Sequence, residues 1–146
     1  MAVQLHRPGA THARSMIRAG RVDQDSSWSF SADDGNAILG DPPDWTRYGS
    51  FHLGVNTEEK RDTKAHWMYP FGKLVNGRGV VFRSALRAIR TRSSQQGHTA
   101  IFEEAGKLMA LLDEEKKDKG ATVYSGIFAA VIQKGLRDAE GEPEDA

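Results

Sequence analysis

Cysteine is absent from the 146-residue chain. That excludes disulfide staples, thiolate zinc sites and cysteine nucleophiles, and it fits assembly in a reducing cytoplasm. Net charge is absent as well. The 20 Lys and Arg balance 20 Asp and Glu, so the whole molecule has no electrostatic pull toward nucleic acid or membrane. No stretch approaches the roughly 18 apolar residues that a membrane helix requires. The opening residues, Met-Ala-Val-Gln-Leu-His-Arg-Pro-Gly, contain no apolar core of signal-peptide length.

Catalytic patterns are missing too. The histidines are His6, His12, His52, His66 and His98, with no His-Glu-x-x-His pattern and no pair at four-residue spacing on an expected helix. No Gly-x-Ser-x-Gly elbow occurs. Gly72, Gly77 and Gly79 are not followed by the Gly-Lys-Ser/Thr of a phosphate loop. Asp33-Asp34 and Glu103-Glu104 are neighbours in sequence, point apart on a helix, and suit helix starts. These absences lead to the expectation of a non-enzymatic domain with no metal and no cofactor.

What is present reads as a mainly α, small helical domain with one short β-hairpin. Residues 1–10 carry Pro8 and Gly9 without an apolar period and read as a flexible N-terminal arm. A helical domain follows over 11–119. Thr11, Ser31, Asp44 and Thr99 are candidate N-caps, and Gly20, Gly40, Gly54 and Gly97 are candidate breaks. Trp28 and Phe30 alternate with serines in a brief extended pattern. Trp45 and Tyr48, with Phe51 or His52, follow at helical spacing.

Asn76-Gly77, between Leu74-Val75 and Val80-Val81, suits a tight turn and places the hairpin near 73–81. Helices are expected over 84–94 and 100–118, the second with Ile101, Ala105, Leu108 and Leu112 on one stripe. Gly120 should interrupt the chain. A C-terminal amphipathic helix within 120–137 would follow, either finishing the core or docking on another subunit. Residues 138–146 are acidic, poor in apolar groups and expected to be disordered.

Charge is unevenly distributed. Between residues 61 and 100 the bases are Arg61, Lys64, Lys73, Arg78, Arg83, Arg87, Arg90 and Arg92, against the single acid Asp62. Arg83, Arg87 and Arg90 share a helix face. With Lys73 and Arg78 they form a candidate surface for a partner's carboxylates or for phosphates, or else a solvated charge row. Trp67, Tyr69 and Phe71 alternate nearby, as a core under the hairpin or as a stacking platform for bases.

Several separated motifs also resemble a module of tailed-bacteriophage head-morphogenesis proteins, associated with prohead (head-maturation) protease polypeptides and lying outside the protease itself. They are residues 21–40, Asp44-Trp45 through Gly54, Thr63-Lys64-Ala65 to Gly72-Lys73, Arg83-Ser84-Ala85-Leu86-Arg87-Ala88-Ile89-Arg90, and Gln95-Gln96-Gly97 to Ala105-Gly106. The likeness spans roughly residues 12–113. It carries no catalytic residue across, Leu74–Val81 is longer than the family pattern, and residues 120–146 lie outside it. The resemblance implies a non-enzymatic, head-associated structural protein: a capsid-binding, cement, minor capsid or scaffold-like subunit. It would act through protein–protein contacts with phage capsid or other head proteins, or with itself, in the virion or the host cytoplasm. The alternative is a nucleic-acid-binding module using Arg83, Arg87 and Arg90.

Overall fold

The structure is a computed structural model, and the residues described are 2–128, with side chains as far as Glu115. The chain divides into two compact units, Met1–Leu112 and Asp113–Ala146. The sheets, the first four helices and the start of the fifth belong to the first. Of the second, the described part is helix as far as Phe128.

The fold is mixed α/β, which corrects the expectation of a mainly α domain with one hairpin. The described residues are 52% helical and 20% strand, with two three-stranded sheets and five helices among them. One sheet has the order β1 (Val3–Leu5), β3 (His52–Asn56), β4 (Trp67–Pro70), all antiparallel. The other has the order β2 (Val22–Asp23), β6 (Arg78–Phe82), β5 (Gly72–Val75), with β2 parallel to β6. The strands escape a periodicity search because each has two to five residues, little more than one cycle of a two-residue alternation. Their pairing is long-range: Val3 meets Asn56 and Val22 meets Val81.

The N-terminal segment is likewise corrected from arm to structure. Val3–Leu5 is β1, and α1 (Arg7–Arg18) starts four residues before the expected cap at Thr11. Pro8 lies in its first turn, where a fixed φ and a missing N–H cost nothing. Gly9 is needed there because a Cβ would stand 1.9 Å from the His52 carbonyl oxygen. Gly120 does not break the last helix, since α5 runs from Thr99 to Phe128. The rest of the expected C-terminal helix, and the acidic tail 138–146, lie outside the described residues.

Other local signals act as their chemistry suggests. Ser31 caps α2 (Ala32–Leu39) by accepting from the Asp34 N–H, while the Asp34 carboxylate accepts from the Ser31 N–H at 2.9 Å. Asp44 caps α3 (Trp45–Gly49). Asn76 and Gly77 both take positive φ, 53° and 78°, in the turn joining β5 to β6, as a tight hairpin requires. Gly97, at φ 73°, ends α4 (Arg83–Gln96) in the left-handed conformation.

Phe71, fully buried, ties the sheets together: its N–H donates to Phe51 and its carbonyl accepts from Phe82. Around it gather Met16 and Ile17 of α1, Leu86 and Ile89 of α4, and Ile101, Leu108 and Leu112 of α5. The opposite side of α4 remains open.

Candidate docking cleft

Along α4 the buried residues are Ala85, Leu86, Ile89 and Ser93. Ser84, Arg87, Ala88, Thr91, Arg92 and Gln95 follow the i, i+3, i+4 spacing of one stripe, and together they line an open cavity of about 430 Å³. Two further lobes flank it. Toward β4, Trp28, Met68, Tyr69, Pro70, Ile89 and Arg92 are among the residues enclosing about 420 Å³. Toward the segment after β2, Gln24, Asp25, Ser26, Ser27, Ser84 and Arg87 border about 510 Å³. Trp28 and Ala88 line both flanking lobes. The three therefore form one shallow cleft with α4 as its floor.

Each wall has a physical cause. After β2 the chain turns because the Asp23 carboxylate accepts from the N–H groups of Asp25 and Ser26, at 3.0 and 2.8 Å. The Ser26 bond is the main reason that the Asp23 carboxyl titrates below its ordinary range. Ser84 Oγ then donates to the Ser26 carbonyl at 2.7 Å and fastens the turn to the start of α4. Trp28 packs against Phe30, with ring centroids 5.8 Å apart, and against Phe82 at 5.3 Å. On the other side β4 is an edge strand, the position that Pro70 tolerates.

Lys73 is absorbed into this framework rather than offered to a partner. Its Nζ lies 3.3 Å from Asp34 Oδ2, donates to the Ser29 carbonyl at 2.7 Å, and stands 5.4 Å from the ring centroids of both Trp28 and Phe82. The Asp34 carboxyl is held below its ordinary range, first by the Ser31 N–H and then by Lys73. Lys73 thus positions the Trp28 wall.

The arginine row is split. Arg90 lies over Phe102 with its guanidinium carbon 4.0 Å from the ring centroid, and a Cβ at Gly106 would meet its Nη1 at 2.7 Å. It belongs to the α4–α5 packing. Arg83 Nη1 reaches Gln24 Oε1 at 3.5 Å. Arg87 is exposed and lines the cleft, as does Arg92. Arg78, at the exposed start of β6, is not among the cleft-lining residues. So the structure brings Arg87 together with Arg92 and Trp28, and it does not bring Arg83, Arg87, Arg90, Lys73 and Arg78 into one face.

The aromatic trio is core. Trp67, Tyr69 and Phe71 are 8%, 6% and 0% exposed, which leaves no ring face for stacking on bases. Trp67 Nε1 donates to the Arg61 carbonyl at 3.0 Å. Tyr69 has φ 63°, a left-handed conformation that costs a side-chain-bearing residue about 1–3 kcal/mol. It is anchored where its hydroxyl lies 2.6 Å from His98 Nδ1 and donates to Gln96 Oε1 at 3.2 Å. Burial raises the Tyr69 phenol above its ordinary range, against a smaller opposing effect of Arg92, so this hydroxyl stays protonated.

A second buried polar pair lies under α1. His52 Nδ1–H donates to the Tyr48 carbonyl at 2.8 Å, and His6 Nδ1–H donates to the His52 carbonyl at 3.1 Å. Burial lowers both rings, His52 to about 4. Among the described residues no three His, Asp or Glu side chains are placed to hold a metal ion. No helix among them is long and apolar enough to cross a membrane.

Trp28, Ala88 and Met68 went unassigned in the sequence reading. The acid-free stripe 84/87/88/91/92/95 is visible by spacing alone. Its walls are not, because they come from residues 24–28 and 68–70. Compared with protein-family models, curated proteins and solved structures, the chain finds no match.

Proposed function

We propose that this domain is a docking module that binds a partner protein along the open stripe of α4 and performs no chemistry of its own. One observation carries the reading. A helix buried on one side presents, on the other, a polar and cationic floor that opens onto an apolar lobe, between two walls that are each tied down by specific hydrogen bonds. Exposed helix faces are ordinarily convex and polar, whereas sites for ligands and peptides are concave and mostly apolar.

The resemblance to head-morphogenesis proteins supports a partner among phage capsid or other head proteins, with assembly in the host cytoplasm or in the virion. Nucleic acid is the weaker candidate. A phosphate track needs several aligned cations, and Arg90 and Lys73 are occupied inside the fold.

The test is co-sedimentation with purified capsid shells assembled from a tailed-phage major head protein. Wild-type protein should pellet with shells in a salt-tolerant manner, and Ala88→Trp, which fills the cleft from an exposed position, should remain in the supernatant. Equal pelleting of both proteins would remove the cleft from the account. Binding to DNA that falls steeply with added salt would favour the nucleic-acid reading instead.

A further inference from the structure

The cleft has a length, a charge and an apolar side, and these narrow its occupant. From Ser84 to Gln95 the floor rises roughly 16 Å along the helix axis. A fully extended chain advances about 3.3 Å per residue, so the floor accommodates about five residues. Arg87 and Arg92 stand five positions apart, which is about 7.5 Å along the axis and roughly 140° around it. They therefore occupy opposite edges of the stripe, Arg87 toward the turn at 24–27 and Arg92 toward β4. Neither has an acidic partner among the described residues. All of α4 lacks Asp and Glu, and the lining contributes one acid, Asp25, in the lobe that Arg87 also borders. The lobe beside Arg92 is walled by Trp28, Met68, Pro70 and Ile89, which suits one large aliphatic or aromatic side chain.

We propose that the partner engages this cleft through a short, extended, acidic peptide segment, with one apolar side chain in the Trp28–Met68–Pro70 lobe and carboxylates flanking it toward Arg87 and Arg92. This rests on the docking reading above and adds the chemistry of what docks. Charge complementarity selects the class. The exposed guanidiniums of Arg87 and Arg92, one on each edge, are best satisfied by carboxylates, which accept their paired N–H groups. The apolar lobe beside Arg92 gains nothing from a sugar–phosphate chain. Two guanidiniums are also too few for the cation row that holds a nucleic acid backbone.

The experiment uses the full chain and a fluorescein-labelled heptapeptide with a central leucine and two glutamates on each side, read by fluorescence anisotropy. Binding should weaken about tenfold or more when the glutamates become glutamines, and similarly when the leucine becomes glycine. Arg87→Glu/Arg92→Glu should abolish binding of the acidic peptide and admit its lysine counterpart, a reversal that a merely misfolded variant could not produce. Equal affinity for the glutamate and glutamine peptides, or retained binding by Ala88→Trp, would overturn the proposal. So would tighter binding of an oligothymidylate probe at the same cleft. If Ala88→Trp abolishes shell binding while no acidic peptide binds, the peptide chemistry is wrong and the docking reading survives. If Ala88→Trp leaves shell binding intact, the docking reading itself is wrong.

Discussion

Acid should destabilise this domain in two separable pH ranges, and His52 sets the first. Its ring is 1% exposed, packed 4.7 Å from Tyr48 and 5.9 Å from Phe30, centroid to centroid. Its one hydrogen-bonded nitrogen, Nδ1, donates to a carbonyl, an arrangement that neutral imidazole already satisfies. Burial lowers its pKa from 6.5 to about 4, with the Tyr48 bond opposing and His6 adding to the depression. The unfolded chain takes up a proton near 6.5, whereas the native state resists until about 4, so falling pH favours the unfolded state across that interval. Stability is full above about pH 7, falls as the pH drops through 6.5, and levels near 4. The depression corresponds to a loss of about 3 kcal/mol. His6, lowered in the same direction, steepens the fall.

Asp23 and Asp34, both held below 3.8 by N–H donors, contribute stability that is present above their unfolded values and lost only as the pH drops below about 4. The window from pH 7 to 4.5 therefore isolates the histidines. Urea titrations at half-unit steps should show the midpoint falling through this window at constant m-value. His52→Gln, whatever its absolute stability, should flatten the curve. A midpoint unchanged between pH 7 and 5 would refute the reasoning, as would NMR titration of native His52 near 6.5.

Further perturbations follow from contacts in the fold. Gly9→Ala, which places a Cβ 1.9 Å from the His52 carbonyl oxygen, should cost about 2–3 kcal/mol by urea denaturation. Gly77→Ala, with open space but φ 78°, should cost only about 1 kcal/mol; equal effects would contradict the packing assigned to Gly9. Trp67→Ala should destabilise by about 3–5 kcal/mol, and an unchanged thermal melt would mean that the ring is exposed. Lys73→Ala should lower stability modestly and shift Trp28 fluorescence in a Trp45→Phe/Trp67→Phe background, because Lys73 braces that ring; an unaltered spectrum would count against a positioning role. Arg90→Ala should lose about 1 kcal/mol through the Phe102 contact without affecting docking. Arg87→Ala should do the reverse, staying within about 0.5 kcal/mol of the parent in stability.

Capping and turn chemistry were legible in the sequence because they are local. Ser31 with Asp34, Asp44, Asn76-Gly77 and Gly97 each act within four residues of themselves, so the dipeptide or tetrapeptide contains the cause. The Ile101/Ala105/Leu108/Leu112 stripe was legible for the same reason, since about three turns of helix repeat one pattern often enough to be seen. The sheets were not legible. His52 and Leu53 read as the end of a helix because Trp45 and Tyr48 precede them at helical spacing. What makes them strand is β1 and β4 on either side, supplied from about fifty residues upstream and fifteen downstream.

The candidate site divides along the same line. Residue spacing put Arg83, Arg87 and Arg90 on one helical face and left out which of them another helix would cover. Phe102 and the missing Cβ of Gly106 decide that Arg90 turns inward, and neither is visible from α4. The cation that replaces it, Arg92, stands on the β4 edge, and it became part of a cleft only when the edge strand with Pro70 closed that side. A basic helix face in sequence is thus a starting set for a binding surface and not the surface itself. Partner helices subtract from it, distant walls add to it, and the resulting pair of guanidiniums with its apolar lobe is more selective than the row of three would have been.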